Sequence, residues 1–136
     1  MSNKSSGTEF EQNFARILAA EGFWAHCLAG NRNGQPFDVI AARDGTAWAF
    51  DCKECRSGIF RLARIEENQR NAMELWAATG NTPGMFALEF RDAIFLVTLE
   101  ALKKLEKGGI SVMTESAASE TGVELTDWLK GNQLCR

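Results

Sequence analysis

The dipeptide Asp44-Gly45 stands between two runs of residues that favour β-structure, and this arrangement constrains the fold more than any other feature of the chain. The flanking runs are Phe37 to Arg43 and Thr46 to Lys53. Asp-Gly in this position is a strong signal for a β-hairpin with a two-residue turn, because glycine and aspartate tolerate the positive φ angles that such a turn requires. The sequence therefore predicts two adjacent antiparallel strands joined at Asp44-Gly45.

The other patterns predict a mixed α/β architecture around this hairpin. Apolar residues at helical spacing from Thr8, ended by Gly22, predict a first helix. A strand over Phe23 to Cys27 and a loop over Leu28 to Pro36 follow. Beyond the hairpin we predict an extended piece, a helix, two strands and a helix, at Ile59 to Leu62, about Ile65 to Thr79, Met85 to Phe90, Ala93 to Leu99 and Leu99 to Lys107. Residues 1–6 are predicted to be mobile, and the segment after residue 107 has no clear pattern. The predicted fold class is α/β, with a central mixed β-sheet flanked by helices, in a single domain of residues 1–136.

The register of the hairpin places two acidic residues opposite each other. If Arg43 faces Thr46, then Asp38 faces Asp51, and Lys53 lies on the same face as both. That face also carries Ile40 and several alanines, which suggests that a helix covers it and that the acids lie at the edge of a cleft. The opposite face is bulky and apolar, as expected for a core.

Two opposed carboxylates would repel each other unless a cation lay between them. Oxygen ligands at this spacing suit Mg²⁺ or Mn²⁺, which retain several waters and accept phosphate oxygens. The ammonium of Lys53 beside such an ion could hold the attacking water and offset charge on a phosphoryl group. A solvated hairpin face with a simple surface pair between Asp51 and Lys53 is the alternative interpretation.

A third carboxylate and an amide are further candidates. Glu11 borders the apolar stripe of the first helix, so it could be a metal ligand. Thr8-x-x-Glu11 also fits a capping box, in which Glu11 would only satisfy a main-chain amide. Spacing alone does not separate these two interpretations. Gln69, in the second long helix, is by itself an ordinary polar helical residue.

Composition and charge exclude several classes of protein. A chain of 136 residues with 45% apolar and 24% charged residues is an ordinary globular protein rather than a disordered one. No apolar run is long enough to span a membrane and the first residues do not resemble a secretory signal, so we expect a cytosolic protein. The net charge is −3, yet the stretch from residue 53 to 70 is locally basic. The basic residues of that stretch are Lys53, Arg56, Arg61, Arg64 and Arg70.

The four cysteines and the single histidine do not predict a site of their own. Cys52-x-x-Cys55 is not accompanied by a second such pair, so we expect reduced thiols and no zinc. His26 lies in an apolar strand and is expected to be packed. Tryptophans such as Trp24 are expected to lie in the core.

The order of motifs resembles the PD-(D/E)xK nuclease superfamily, and within it the Holliday junction resolvases of the archaeal type and their bacterial and phage relatives. The motifs that carry the resemblance are Gly7-x-x-x-Glu11, the segment Ile17 to Phe23, Pro36-Phe37-Asp38, Asp51-Cys52-Lys53, and a helix with Gln69. They cover about residues 7–90. In one departure, Asp51 stands where these resolvases usually carry glutamate.

This resemblance implies a restriction-endonuclease-like core and a metal-dependent endonuclease that acts as a homodimer on four-way DNA junctions. It implies that Glu11, Asp38 and Asp51, with the main-chain carbonyl of Cys52, bind Mg²⁺ or Mn²⁺. Lys53 would be the catalytic lysine and Gln69 an accessory residue of the active site. Arginines near the site would contact DNA phosphates, namely Arg32, Arg56, Arg61, Arg64 and Arg70. Two alternatives stay open: a restriction-type or repair nuclease that cuts duplex DNA, and a non-catalytic DNA-binding or dimerisation module.

Overall fold

A six-stranded mixed sheet runs through the centre of the protein. In this computed structural model the described residues are 3–28 and 37–134, with side chains described for 9–28 and 37–131. The strand order is β1-β2-β3-β5-β6-β8, in which β3 and β5 are parallel and the other neighbours are antiparallel. A separate two-stranded sheet pairs β4 with β7. The strands are β1 Trp24–Cys27, β2 Val39–Arg43, β3 Thr46–Glu54, β4 Ile59–Arg61, β5 Met85–Glu89, β6 Ile94–Thr98, β7 Val112–Thr114 and β8 Val123–Glu124.

Helices cover both faces of the sheet, as the sequence predicts. They are α1 Asn3–Ala20, α2 Glu67–Ala78, α3 Leu99–Lys107, α4 Glu115–Thr121 and α5 Leu125–Leu134, and a 3-10 turn at Leu62–Arg64 precedes α2. Among the described residues, no helix has the length and apolar character needed to cross a membrane.

Side-chain alternation in the strands separates two hydrophobic cores. On one face α1 and α5 pack against the sheet, because Phe10, Phe14 and Leu18 recur on one side of α1 and are almost completely buried. On the other face α2, α3 and α4 pack around Phe86 and Leu88 of β5. We call these the α1 face and the α2 face.

The central hairpin has the predicted register. Arg43 is paired with Thr46 and Val39 with Phe50. Asp44 and Gly45 have φ angles of 52° and 80°, so both turn positions adopt the left-handed conformation of a two-residue hairpin turn. The side chains also alternate between the two faces as predicted: Val39 and Phe50 lie in the core on the α1 face, and Ala49 lies in the core on the α2 face.

The N-terminal prediction is wrong in one respect. The first helix begins at Asn3 rather than at Thr8, so residues 3–6 belong to the helix. Thr8 therefore lies inside α1 and is not its N-terminal cap. The apolar stripe that predicts the helix starts only at Phe10, because the preceding turns carry small polar residues with no periodicity to detect.

Candidate active site

Asp38 and Asp51 meet where β2 begins and β3 nears its end. Asp38 lies one residue before β2, and its main-chain N–H donates to the carbonyl of Phe50 at 2.9 Å. Its carboxylate Oδ2 accepts a hydrogen bond of 2.8 Å from the main-chain N–H of Cys52, the residue after Asp51. These two contacts extend the hairpin pairing by one step and hold both acids at the same end of the sheet.

The carboxylate of Asp51 is almost fully buried and incompletely paired. The residue is 2% exposed, and its Oδ2 accepts no hydrogen bond from any described residue. The ammonium of Lys53 lies 3.7 Å from Oδ2, which is too long for a hydrogen bond. Burial raises the pKa of Asp51 to about 8; Lys53 opposes this shift and Asp38 adds to it.

Lys53 is held from two sides. Its side chain is 13% exposed, and besides Asp51 it contacts Gln69 in the first turn of α2. The lysine Nζ donates to Gln69 Oε1 at 3.2 Å. The long connection from β3 to β5 carries α2 over the α2 face, and this brings a residue sixteen positions away to Lys53.

Glu11, on α1, lies near the carboxylate of Asp38. Burial raises its pKa to about 7, and the nearby charge of Asp38 adds to the shift. The capping-box interpretation of Glu11 is wrong, because α1 starts at Asn3 and the amide of Thr8 belongs to the interior of the helix. The structure therefore leaves Glu11 as a half-buried acid that faces a second acid.

The donor set of this cluster matches a hard divalent cation. All three side chains are carboxylates, the oxygen ligands that Mg²⁺ and Mn²⁺ prefer. The buried Asp51 Oδ2 without a hydrogen bond is the atom that such an ion would satisfy. Within the described parts of the chain, no three His, Cys, Asp or Glu side chains lie close enough together to hold an ion as they stand. Asp38 and Asp51 are thus the best-placed pair, and Glu11 would have to move toward them.

The cysteines near the acids are neutral thiols. Burial and then the neighbouring carboxylates raise the pKa of Cys52 well above its usual value, and burial and Glu11 do the same for Cys27. Cys52 contacts the core of the α1 face, whereas Cys55 is buried in the core of the α2 face. The Cys52-x-x-Cys55 motif therefore does not present its two thiols to one ion.

Of the predicted DNA-contacting arginines, Arg56 and Arg64 contact Glu54 at the end of β3. Arg56 lies 3.4 Å from Glu89 and 3.7 Å from Glu54. Arg64 donates to the main-chain carbonyl of Glu54 at 2.8 Å, and Arg61 is exposed. Arg70 forms a two-pronged pair with Glu106 of α3, at 2.6 and 2.9 Å. Arg32 lies outside the described residues.

Sequence reasoning missed one basic residue of this region. Arg91, in the turn between β5 and β6, donates from Nε to the main-chain carbonyl of Arg56 at 3.1 Å. The two residues are 35 positions apart, so no local pattern could have linked them. The pairing of β3 with β5 is what brings them together.

Two expectations about aromatic residues are wrong. Trp24 is 62% exposed rather than buried, and His26 is exposed rather than packed. Their rings stack at a centroid distance of 5.8 Å on the sheet face that α2 only partly covers. β1 is an edge strand, with a neighbouring strand on one side only. Its short sequence does not show which of its two faces is covered by a helix, so the burial of Trp24 and His26 could not be predicted from it.

Comparison with known proteins points to the same family as the sequence motifs. The family model described as archaeal Holliday junction resolvase (Hjc) matches residues 2–135. The solved structure of Hjc, a Holliday junction resolvase from Archaeoglobus fulgidus, has a similar fold, with a TM-score of 0.68 and 19% sequence identity over 92% of this chain and 96% of that one. None of the curated proteins compared with the chain matches it significantly.

The resemblance predicted from the motifs is thereby confirmed, and so is the fold class. The family model spans nearly the whole sequence, including the C-terminal segment that had no interpretable pattern. The chain belongs to the archaeal Holliday junction resolvase (Hjc) family.

Proposed function

We propose that this chain, as one nuclease domain over residues 1–136 in the cytosol, cuts four-way DNA junctions at the cluster of Asp38, Asp51 and Lys53. Its family makes it a Holliday junction endonuclease, which hydrolyses phosphodiester bonds. The observation that carries the assignment of the site is the buried Asp51 Oδ2 without a hydrogen bond, 3.7 Å from the Lys53 ammonium. Buried polar atoms of purely structural residues are nearly always paired, so an unpaired one beside a lysine indicates a ligand position.

We further propose Mg²⁺ or Mn²⁺ as the cofactor. Nucleases of the resolvase type generally depend on a divalent metal. Asp38 and Asp51 would hold the ion, with Glu11 and the main-chain carbonyl of Cys52 as additional ligands. When bound, such an ion lowers the pKa of a coordinated water and neutralises charge on the scissile phosphate.

The chain's own residues would prepare the reaction. The Cys52 N–H holds the Asp38 carboxylate in place, and the surrounding core limits the access of water to Asp51. The Lys53 ammonium retains donors beyond its contact with Gln69, so it can hold a water or a phosphate oxygen. These donors are fixed before the substrate arrives, which is how a preorganised charge stabilises the transition state.

The DNA would be bound mainly through its backbone. Arg61 of β4 is exposed, and Arg56 and Arg64 both contact Glu54 at the end of β3, the residue that follows Lys53 in sequence. We propose that these residues contact phosphates flanking the cut, together with Arg32 and with Arg70 when it is released from Glu106. Phosphate contacts carry no sequence information, so the shape of the junction would select the substrate.

We propose that the protein acts as a homodimer, because resolving a junction requires a cut in each of two strands. Leu75 of α2 is 71% exposed and Trp24 of β1 is 62% exposed, so each is a large apolar side chain in contact with solvent. A second copy is the partner that would cover these side chains. Leu75→Glu should therefore convert dimer to monomer in light scattering, whereas Ile110→Glu, at another partly exposed apolar position, should not.

A nicking assay on a synthetic four-way junction tests the enzymatic proposal. Wild-type protein should nick the junction in Mg²⁺ but not in EDTA. Asp51→Asn and Lys53→Ala should lose cleavage at least about a hundredfold while junction affinity changes little, since oxyanion-type and metal-ligand contacts are typically worth that much. Asp92→Asn and Lys107→Ala, at exposed positions, are matched controls that should cut normally.

The same assay separates the alternative functions. Equal cleavage of linear duplex and junction would favour a restriction-type or repair nuclease with the same catalytic residues. If the wild-type protein bound junctions without cutting them, and calorimetry detected no Mn²⁺ binding, the non-catalytic module would be favoured. Normal cleavage by Asp51→Asn or Lys53→Ala would refute the proposed site.

A further inference from the structure

Gln69 stands at the point where the start of α2 meets the catalytic lysine. Its side-chain oxygen Oε1 accepts two hydrogen bonds, one of 3.2 Å from Lys53 Nζ and one of 3.0 Å from the main-chain N–H of Glu66. A carbonyl oxygen has two lone pairs, so both contacts can form together. The third residue of the helix thus joins the helix terminus to the active site.

The N–H of Glu66 has no main-chain carbonyl to bond within its own helix. Glu66 is the N-terminal cap of α2, with φ −78° and ψ 156°, and the first N–H groups of a helix have no carbonyl of the preceding turn to bond. The Gln69 oxygen satisfies this donor. The cap and the lysine therefore require the same end of the same amide.

These two donors determine the orientation of the amide. An ammonium and a main-chain N–H can only donate, so both demand the oxygen of Gln69 and exclude its NH₂ group. Without the Glu66 contact the amide could rotate and present NH₂ to Lys53, which would repel the ammonium. Met73, one turn further along α2, is 3% exposed, and its contact with the core keeps this face of the helix toward the sheet.

We propose that the main-chain N–H of Glu66 is a positioning group for catalysis, which holds Gln69 in the one orientation that keeps the Lys53 ammonium beside Asp51. The proposal rests on the proposed nuclease function and deepens it: Gln69 becomes a positioning residue that acts through Lys53. The Glu66–Gln69 hydrogen bond at the start of α2 would then serve the reaction as well as the stability of the helix.

Glu66→Pro tests this proposal because proline removes the main-chain N–H in question, together with the Glu66 carboxylate that accepts a hydrogen bond from the main-chain N–H of Gln69. The φ of Glu66 is compatible with proline, and Ile65 before it has an extended backbone, φ −80° and ψ 114°, as a residue before proline needs. Glu66→Ala is the matched control: both variants lose the carboxylate and its bond to the Gln69 main chain, and only the alanine variant keeps the Glu66 N–H, so the difference between them reports that N–H. Single-turnover nicking of a four-way junction in Mg²⁺ and junction affinity in EDTA are measured for each variant.

We expect Glu66→Pro to slow the nicking step about tenfold, equivalent to about 1.4 kcal/mol, with unchanged junction affinity. Glu66→Ala should nick within about twofold of wild type. Gln69→Met, which has a similar length but no acceptor, should slow nicking at least as much as Glu66→Pro. In the Gln69→Met background Glu66→Pro should have no further effect, because a group that acts only through Gln69 has nothing left to position.

Three results would overturn the proposal: normal nicking by Glu66→Pro, equal losses for the proline and alanine variants, or effects of Glu66→Pro and Gln69→Met that multiply. Urea unfolding of each variant shows whether it is folded. If Glu66→Pro does not fold, Gln69→Glu replaces it, because its carboxylate keeps both acceptor contacts. It should then nick faster than Gln69→Met, and the reverse ranking would refute the proposal. Absence of nicking by the wild-type protein would instead refute the nuclease function itself.

Discussion

Replacing Asp51 with asparagine should stabilise the metal-free protein at the same time as it removes cleavage. The carboxylate is 2% exposed, its Oδ2 accepts no hydrogen bond, and its ion pair with Lys53 is 3.7 Å long. A buried charge that is incompletely paired costs folding free energy, whereas a neutral side chain of the same shape avoids most of that cost. The carboxylate that we propose for catalysis is therefore one that destabilises the metal-free fold.

The pKa of Asp51 sets the size and the sign of this effect. Folding raises it from 3.8 to about 8, mainly by burial. The folded state then binds a proton more tightly than the unfolded state does, so the free energy of unfolding falls as pH rises from about 4 to about 8. At about 1.4 kcal/mol per pH unit, the charge costs at most about 5 kcal/mol near pH 7.5. The amide of asparagine leaves its own donors unpaired, at about 1–3 kcal/mol, so we expect a net gain of about 2 kcal/mol.

Urea unfolding in EDTA measures the gain. With a dependence on urea of about 2 kcal/mol per molar, the midpoint of Asp51→Asn should lie about 1 M above that of wild type near pH 8. Near pH 5, where the folded wild type is protonated at this position, the gain should be lost and Asp51→Asn should be no more stable than wild type. Asp92→Asn, at an exposed turn position, should leave the midpoint unchanged at both pH values. An Asp51→Asn variant no more stable than wild type near pH 8, or a gain independent of pH, would refute the reasoning.

Three further predictions concern residues away from the acids. Arg70→Ala should lower the free energy of unfolding, measured with urea, by about 0.5–1 kcal/mol in low salt and by less in high salt. Because Arg70 lowers the pKa of Glu106, the stabilisation by this ion pair should be present above about pH 4.5 and lost in stronger acid. Gly122→Ala should destabilise the fold by about 2 kcal/mol or more in thermal unfolding, because the added Cβ would lie 2.6 Å from a carbonyl oxygen of β6. Gly131→Ala, in α5 with open space around it, should be neutral or stabilising in the same assay. Arg61→Ala should weaken junction binding and reduce its dependence on salt by about one phosphate contact, with bound junction still cut at the normal rate; an unchanged salt slope would place Arg61 off the DNA.

The hairpin and its acids could be predicted because every step was local. A two-residue turn fixes the register of both strands, and the alternation of side chains then places Asp38, Asp51 and Lys53 on one face. The helix α3 also has the bounds that its sequence predicts, because Leu99, Leu102 and Leu105 mark its apolar side and two glycines end it.

Contacts between distant segments could not be predicted in the same way. The bond from Lys53 to Gln69 and that from Arg91 to Arg56 depend on the parallel pairing of β3 with β5, which no local pattern encodes. The C-terminal elements are short, and β8 has only two residues, so their apolar positions do not repeat often enough to show a period. Their place is set by packing: Leu125 and Leu129 fill the α1 face while Met113 and Ala118 fill the α2 face.

The topology also orders the assembly of the site in time. The β2–β3 hairpin closes through a two-residue turn, an event on the scale of microseconds, whereas pairing β3 with β5 must first close a long intervening segment. The two like charges of Asp38 and Asp51 are thus brought together early, before α2 is in place to hold the Lys53 ammonium beside them. A divalent cation present during refolding would relieve that early repulsion, and its effect would then be to speed refolding as well as to stabilise the finished fold.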